Sequence, residues 1–129
     1  MKIAFFWTWE FSKNILSWIL TCPPPARGEL EGGIKVLVVV SQPDKTIWRN
    51  KTLTKTKIKE FSENNNIEIL QPENLKNNKE LIEKLKWLDF IVVVAYWKII
   101  PKEILDLPKY WCINIHWSIL PKYRWASPI

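Results

Sequence analysis

Asn114 and His116 lie two residues apart at the end of an apolar run over 112–115. In an extended strand that spacing puts both side chains on one face. A carboxamide can donate hydrogen bonds to an oxygen that gains negative charge. An imidazole can accept or donate a proton near neutral pH. Together they suit attack on a carbonyl. His116 is the single histidine of the chain. The Asn-x-His triplet alone is weak evidence, since such runs also serve purely structural ends. A second run with chemical potential is basic: Lys45, Arg49, Lys51, Lys55, Lys57 and Lys59 follow Asp44 with no acidic residue among them. Phosphates favour such a run through charge and counterion release. Taken alone, a lysine-rich loop is more often a solvated surface.

The elements that must position these residues alternate. Apolar runs at 3–6, 34–40, 67–70, 90–95 and 112–115 predict strands, several apolar on both faces. Between them lie stretches with helical spacing. Residues 10–20 carry Phe11, Ile15, Leu16, Ile19 and Leu20 along one stripe. A break follows at Cys22-Pro23-Pro24-Pro25-Ala26-Arg27-Gly28. A polar helix over 54–64 turns Ile58 and Phe61 inward, and one over 79–87 turns Leu81, Ile82 and Leu85 inward. Pro101 suits the first turn of a short helix ending at Leu105. This alternation predicts an α/β fold: a Rossmann-like parallel sheet with helices on both faces. Ligand sites of such sheets lie beyond the C-terminal strand ends. Trp7, the run Ser41-Gln42-Pro43-Asp44, Trp97 and Asn114-Ile115-His116 all fall there.

With 129 residues the chain makes one domain at most, and 47% apolar residues suffice for a core. The formal charge of +6 suits a polyanionic partner without requiring one. Cys22 and Cys112 are too few for a disulfide framework, which favours a reducing compartment. No signal peptide and no apolar run of membrane-spanning length is evident, so a cytoplasmic location without membrane attachment is expected.

Nine tryptophans stand against three glycines. Ordinary glycine usage, about 7%, predicts roughly nine in a chain this long. Trp7, Trp48, Trp97, Trp117 and Trp125 sit where the pattern turns, beside loops rich in Pro, Asn and Lys. Turns favour glycine, which enters positive φ without steric cost. The alternative is that the rings belong to a core, an interface, or a sugar- or membrane-binding platform. The expectation here is that several of these tryptophans occupy glycine positions.

The run from Cys112 through Asn114-Ile115-His116-Trp117-Ser118-Ile119-Leu120-Pro121-Lys122-Tyr123-Arg124-Trp125 to Ile129 resembles the signature of the folate-dependent formyltransferases, with Trp117 and Trp125 at glycine positions. Three further stretches resemble the branch of that family that formylates methionyl initiator tRNA. These are Phe6-Trp7-Thr8-Trp9, the run from Gln42-Pro43-Asp44 through Trp48-Arg49 to Leu53, and Val92-Val93-Val94-Ala95-Tyr96-Trp97 through Pro101. The resemblance puts glycine at 7, 48 and 97 as well, and at 111. At 9 the family more often has proline, and Trp18 and Trp87 fall in no motif.

The resemblance implies transfer of a formyl group from 10-formyltetrahydrofolate to the α-amine of methionyl initiator tRNA, for translation initiation. It implies that Asn114 holds the oxyanion and that His116 stabilises charge and assists proton transfer. Ser118, Ile119, Leu120 and Pro121 would line the folate pocket, with backbone contacts from 94–96. The basic loop would enter the tRNA acceptor arm through Arg49, with Lys45 and Lys51 beside it. No metal is implied, and a monomer is expected.

The family's catalytic Asp falls beyond residue 129, so the chain is expected to be an N-terminal piece of the catalytic domain, lacking a C-terminal β-barrel domain and inactive alone. Two other readings stay open: a formyltransferase acting on a sugar nucleotide, and a non-catalytic nucleic-acid-binding module. Literal tryptophans at these turns would strain the fold. The expected resolution is UGA recoding, a codon read as glycine in some bacterial codes and as tryptophan in others.

Overall fold

The computed structural model describes residues 1–7, 12–21, 33–47, 52–54, 56–96 and 98–116. Its centre is a parallel sheet of five strands. These are β1 (Lys2–Trp7), β2 (Lys35–Ser41), β5 (Glu68–Leu70), β6 (Phe90–Val94) and β7 (Trp111–Ile115). They lie side by side in the order β5-β2-β1-β6-β7, and every pairing is parallel. From β1 the chain builds outward through β2 to β5, then crosses back to build β6 and β7 on the other side. The reversal therefore falls between β1 and β6, the topological switch point at which open α/β sheets leave a crevice.

Helices cover both faces, as the two-sided apolar strands require. One face packs Ala4, Phe6, Val38, Val40, Ile91 and Val93 against Leu81 and Leu85 of α3 (Lys79–Leu85) and Ile104 of α4 (Lys102–Leu105). The other packs Ile3, Phe5, Val39 and Val94 with Leu16 and Ile19 of α1 (Ser12–Thr21) and Ile58 of α2 (Lys57–Asn64). Asn78 caps α3, its side chain accepting from the Leu81 N–H at 3.0 Å. Among the described residues no helix is long and apolar enough to cross a membrane.

Two elements differ from the sequence expectation. The stretch after Asp44 is not simply a loop: β3 (Lys45–Ile47) and β4 (Thr52–Thr54) pair antiparallel as a separate hairpin. The helix expected from Thr54 begins at Lys57. The β-branched threonines at 52 and 54 favour extended backbone. In addition, the Thr56 N–H, which would begin a longer helix, is bound to Asp44.

The tryptophans also divide. Trp7 is not in a turn. It is the last residue of β1, 2% exposed, and sits edge-to-face on Phe5 with ring centroids 5.8 Å apart. Extended backbone accepts any residue, so at position 7 the structure favours the packing reading. Trp87 is the opposite case. It follows the cap of α3, has φ +71° and is 86% exposed. Left-handed backbone costs an L-residue about 1–2 kcal/mol, and a ring in solvent recovers none of it. Asn66 holds the same kind of position after α2 at φ 54°, but asparagine tolerates that region. Trp18 and Trp111 are 67% and 72% exposed, in a helix and a strand that make no demand for glycine. Positions 9, 48, 97, 117 and 125 lie outside the described residues.

Candidate active site at the C-terminal end of the sheet

Strand register brings the chemistry-bearing segments together. Trp7 pairs with Ser41 on one side and Val94 on the other, and Val94 pairs with Ile115. These four residues form one row across the C-terminal end of the sheet. One step back, Asn114 pairs with Val93, which pairs with Phe6. Parallel partners project to the same side, so Asn114 rises from the face that buries Phe6 and Val93. His116 follows two residues on, half-buried, where β7 ends.

Beside Asn114 lies a cleft of ≈ 520 Å³ lined by Val93, Tyr96, Lys98, Ile100, Leu105, Cys112 and Asn114. That volume falls within the roughly 300–1,000 Å³ of small-molecule sites. Its walls mix apolar side chains with the Asn114 carboxamide and the Lys98 ammonium. Tyr96 packs edge-to-face on Phe6 at 5.3 Å, and its buried hydroxyl has no hydrogen-bond partner among the described residues. Burial pushes that phenol up to about 12 and the Cys112 thiol upward as well, so both are neutral at physiological pH. Ala95, between β6 and Tyr96, has φ 47°. A non-glycine residue held there is strained, and such strain clusters at functional sites.

The root of the basic hairpin is built differently. Asp44 precedes β3, and its side chain is only 6% exposed. Its carboxylate accepts from Gln71 Nε2 at 2.9 Å, the Thr56 N–H at 3.2 Å and Lys59 Nζ at 2.9 Å. The Gln71 hydrogen bond, then that of Lys59, lowers the Asp44 carboxyl to about 2, against the opposing push of burial. Gln71 Nε2 also donates to the Gln42 carbonyl at 2.9 Å. The next carbonyls, of Pro72 and Glu73, accept from Lys98 Nζ at 3.1 and 2.7 Å.

Of the residues expected from sequence, Asn114 and His116 are thus brought to the switch-point end, and Asn114 lines the cleft. Lys45 begins β3, so the hairpin places its backbone beyond the end of β2. Arg49, Lys51, Ser118, Ile119, Leu120 and Pro121 lie outside the described residues. Sequence reasoning placed Asp44 at a strand end but gave no role to Asp44, Gln71 or Lys98. The one signal available was that Asp44 is the lone acid at the head of the basic run.

The comparisons with known proteins agree with this geometry. The chain matches the formyl transferase family over residues 1–129. It is 48% identical to the methionyl-tRNA formyltransferase of Clostridium tetani, 45% identical to that of Caldicellulosiruptor saccharolyticus and 41% identical to that of a Sulfurihydrogenibium species. Each alignment covers 100% of this chain and 39% of the relative. The chain therefore spans about two-fifths of the length of these relatives. On the fold and on a family match that runs its whole length, the chain belongs to the formyl transferase family.

Proposed function

We propose that this chain carries the donor-binding and amine-formylating end of an enzyme acting on methionyl initiator tRNA. The observation that carries the reading is Asn114 on the wall of a cleft between β6, β7 and α4, in a family that transfers formyl groups. The cleft offers a heterocycle apolar contacts from Val93, Ile100 and Leu105 and polar groups from Lys98 and Asn114. Bound there, 10-formyltetrahydrofolate supplies the formyl group. Asn114 donates its amide N–H to the carbonyl oxygen that gains charge, a contact strengthened where water is excluded. His116 holds or moves the proton of the attacking amine. Ser118, Ile119, Leu120 and Pro121 continue the cleft wall, and Lys45, Arg49 and Lys51 meet acceptor-arm phosphates. The protein works as a cytoplasmic monomer in translation initiation.

The glycine reading of the tryptophans belongs to the same proposal. Trp87 supports it at a position that no motif marked, because exposed left-handed backbone after a helix is where glycine is favoured. We infer that UGA codons of this gene are read as glycine. UGG codons at positions 48, 87, 97, 117 and 125 would refute that.

The activity is tested by incubating the whole protein with 10-formyltetrahydrofolate and either methionyl initiator tRNA or an amino-sugar nucleotide. Formylation of the tRNA alone is expected. Formylation of the sugar alone would move the protein to the other branch. Tight tRNA binding with no folate binding would make it a non-catalytic binding module.

A further inference from the structure

Among the described residues, each strand of the basic hairpin is three residues long, and the two form a sheet of their own. An isolated two-stranded ribbon is marginal in water. This one also gathers Lys45, Arg49, Lys51 and Lys55 within eleven residues of chain, so its own charges repel. Its root is nevertheless fixed. The carboxylate of Asp44, before the first strand, holds the N–H of Thr56, after the second, and so closes the loop across 12 residues. The same carboxylate binds Lys59 on α2 and Gln71 after β5. Beyond Gln71, the Pro72 and Glu73 carbonyls are held by Lys98, which lines the cleft beside Asn114. Hydrogen bonds at Asp44 and at Lys98, joined by the backbone of 71–73, thus run from both legs of the hairpin to the cleft wall.

We propose that Asp44 is a positioning residue that fixes the basic hairpin relative to the cleft, through Gln71 and the segment 71–73, so that a tRNA held by the hairpin presents its amine at Asn114. Asp44 touches neither substrate in this account. Its buried, fully engaged oxygens make it a joint, and its negative charge offsets the positive hairpin where the hairpin meets the sheet. The inference rests on the reading that the hairpin meets tRNA.

The test uses Asp44→Asn, which keeps the shape and removes the charge, and Gln71→Leu, which cuts the link to the sheet and leaves the carboxylate in place. Affinity for initiator tRNA and for 10-formyltetrahydrofolate is measured separately, with amide hydrogen exchange over 45–47 and 52–54. Each variant is expected to weaken tRNA binding by roughly tenfold, the scale of a lost charged hydrogen bond. Each should speed hairpin exchange and leave folate affinity and exchange in β1, β2 and β6 unchanged. A merely structural role would weaken both ligands together. Wild-type exchange in the hairpin of both variants would overturn the joint. Unchanged tRNA affinity in an Arg49→Ala, Lys51→Ala double variant would instead overturn the tRNA reading, and hairpin exchange in Asp44→Asn would still decide the joint.

Discussion

At the hairpin root, Asp44 is 6% exposed and its carboxylate is held by donors from three parts of the chain. On the cleft wall, Asn114 is exposed and faces open space. Both residues lie at the same end of one sheet. The contrast separates two jobs. A polar group that fixes geometry is buried and saturated by the protein, since an unmet buried group costs about 1–3 kcal/mol. A polar group that meets substrate keeps its capacity free until the substrate arrives. Charge follows the same division: the carboxylate stands at the head of the basic hairpin, and the neutral amide stands where the proposed reaction would develop charge.

Removing the saturated group should cost most in stability. Asp44→Ala deletes three charge-assisted or backbone hydrogen bonds and is expected to destabilise the fold by about 2–3 kcal/mol. Asn114→Ala should leave stability within about 0.5 kcal/mol, as for an exposed site. Urea unfolding of both variants checks the pair, and equal losses would break the comparison.

The next effect concerns backbone. Trp87→Gly relieves φ +71° at an exposed position and should stabilise by about 1–2 kcal/mol, read as a raised urea midpoint. No gain would remove position 87 from the glycine reading. Ala95→Gly relieves φ 47° at the cleft. Its gain should be smaller, about 0.5 kcal/mol, because glycine adds disorder to the unfolded chain.

The smallest effects are pH limbs that tell the two regions apart. The Asp44 carboxyl falls from 3.8 to about 2 on folding. Its contribution is complete above the unfolded value and is lost as pH falls through the folded one. The Tyr96 phenol rises from 10.0 to about 12. Its contribution holds below the unfolded value and is lost as pH climbs through the folded one. Asp44→Asn should flatten only the acid limb of stability, and Tyr96→Phe only the alkaline limb, both followed by thermal unfolding across pH.

Much of the frame was legible in residue pattern alone. Runs such as Val36 to Val40 and Ile91 to Val94 have no polar face, so a sheet covered on both sides follows. The strand end at Asn114 was read from the apolar run before it, and Asn114 pairs with Val93 in β7, with His116 just past the end of that strand. The hairpin was not legible, because three-residue strands leave no periodicity to read and the contacts of Asp44 at its root join distant segments. Trp7 ends β1, as the apolar run before it implied, and its burial there makes no conformational demand for glycine. Trp87 was passed over because its demand for glycine is conformational and appears only in φ.

The central claim is that Asn114 stabilises charge at the formyl carbonyl. Single-turnover formylation of methionyl initiator tRNA by the whole protein, comparing Asn114 with Asn114→Ala at saturating substrates, tests it most directly. The account predicts a rate lower by roughly 10²–10³-fold with both substrate affinities little changed, whereas a rate within about twofold of the parent would contradict it.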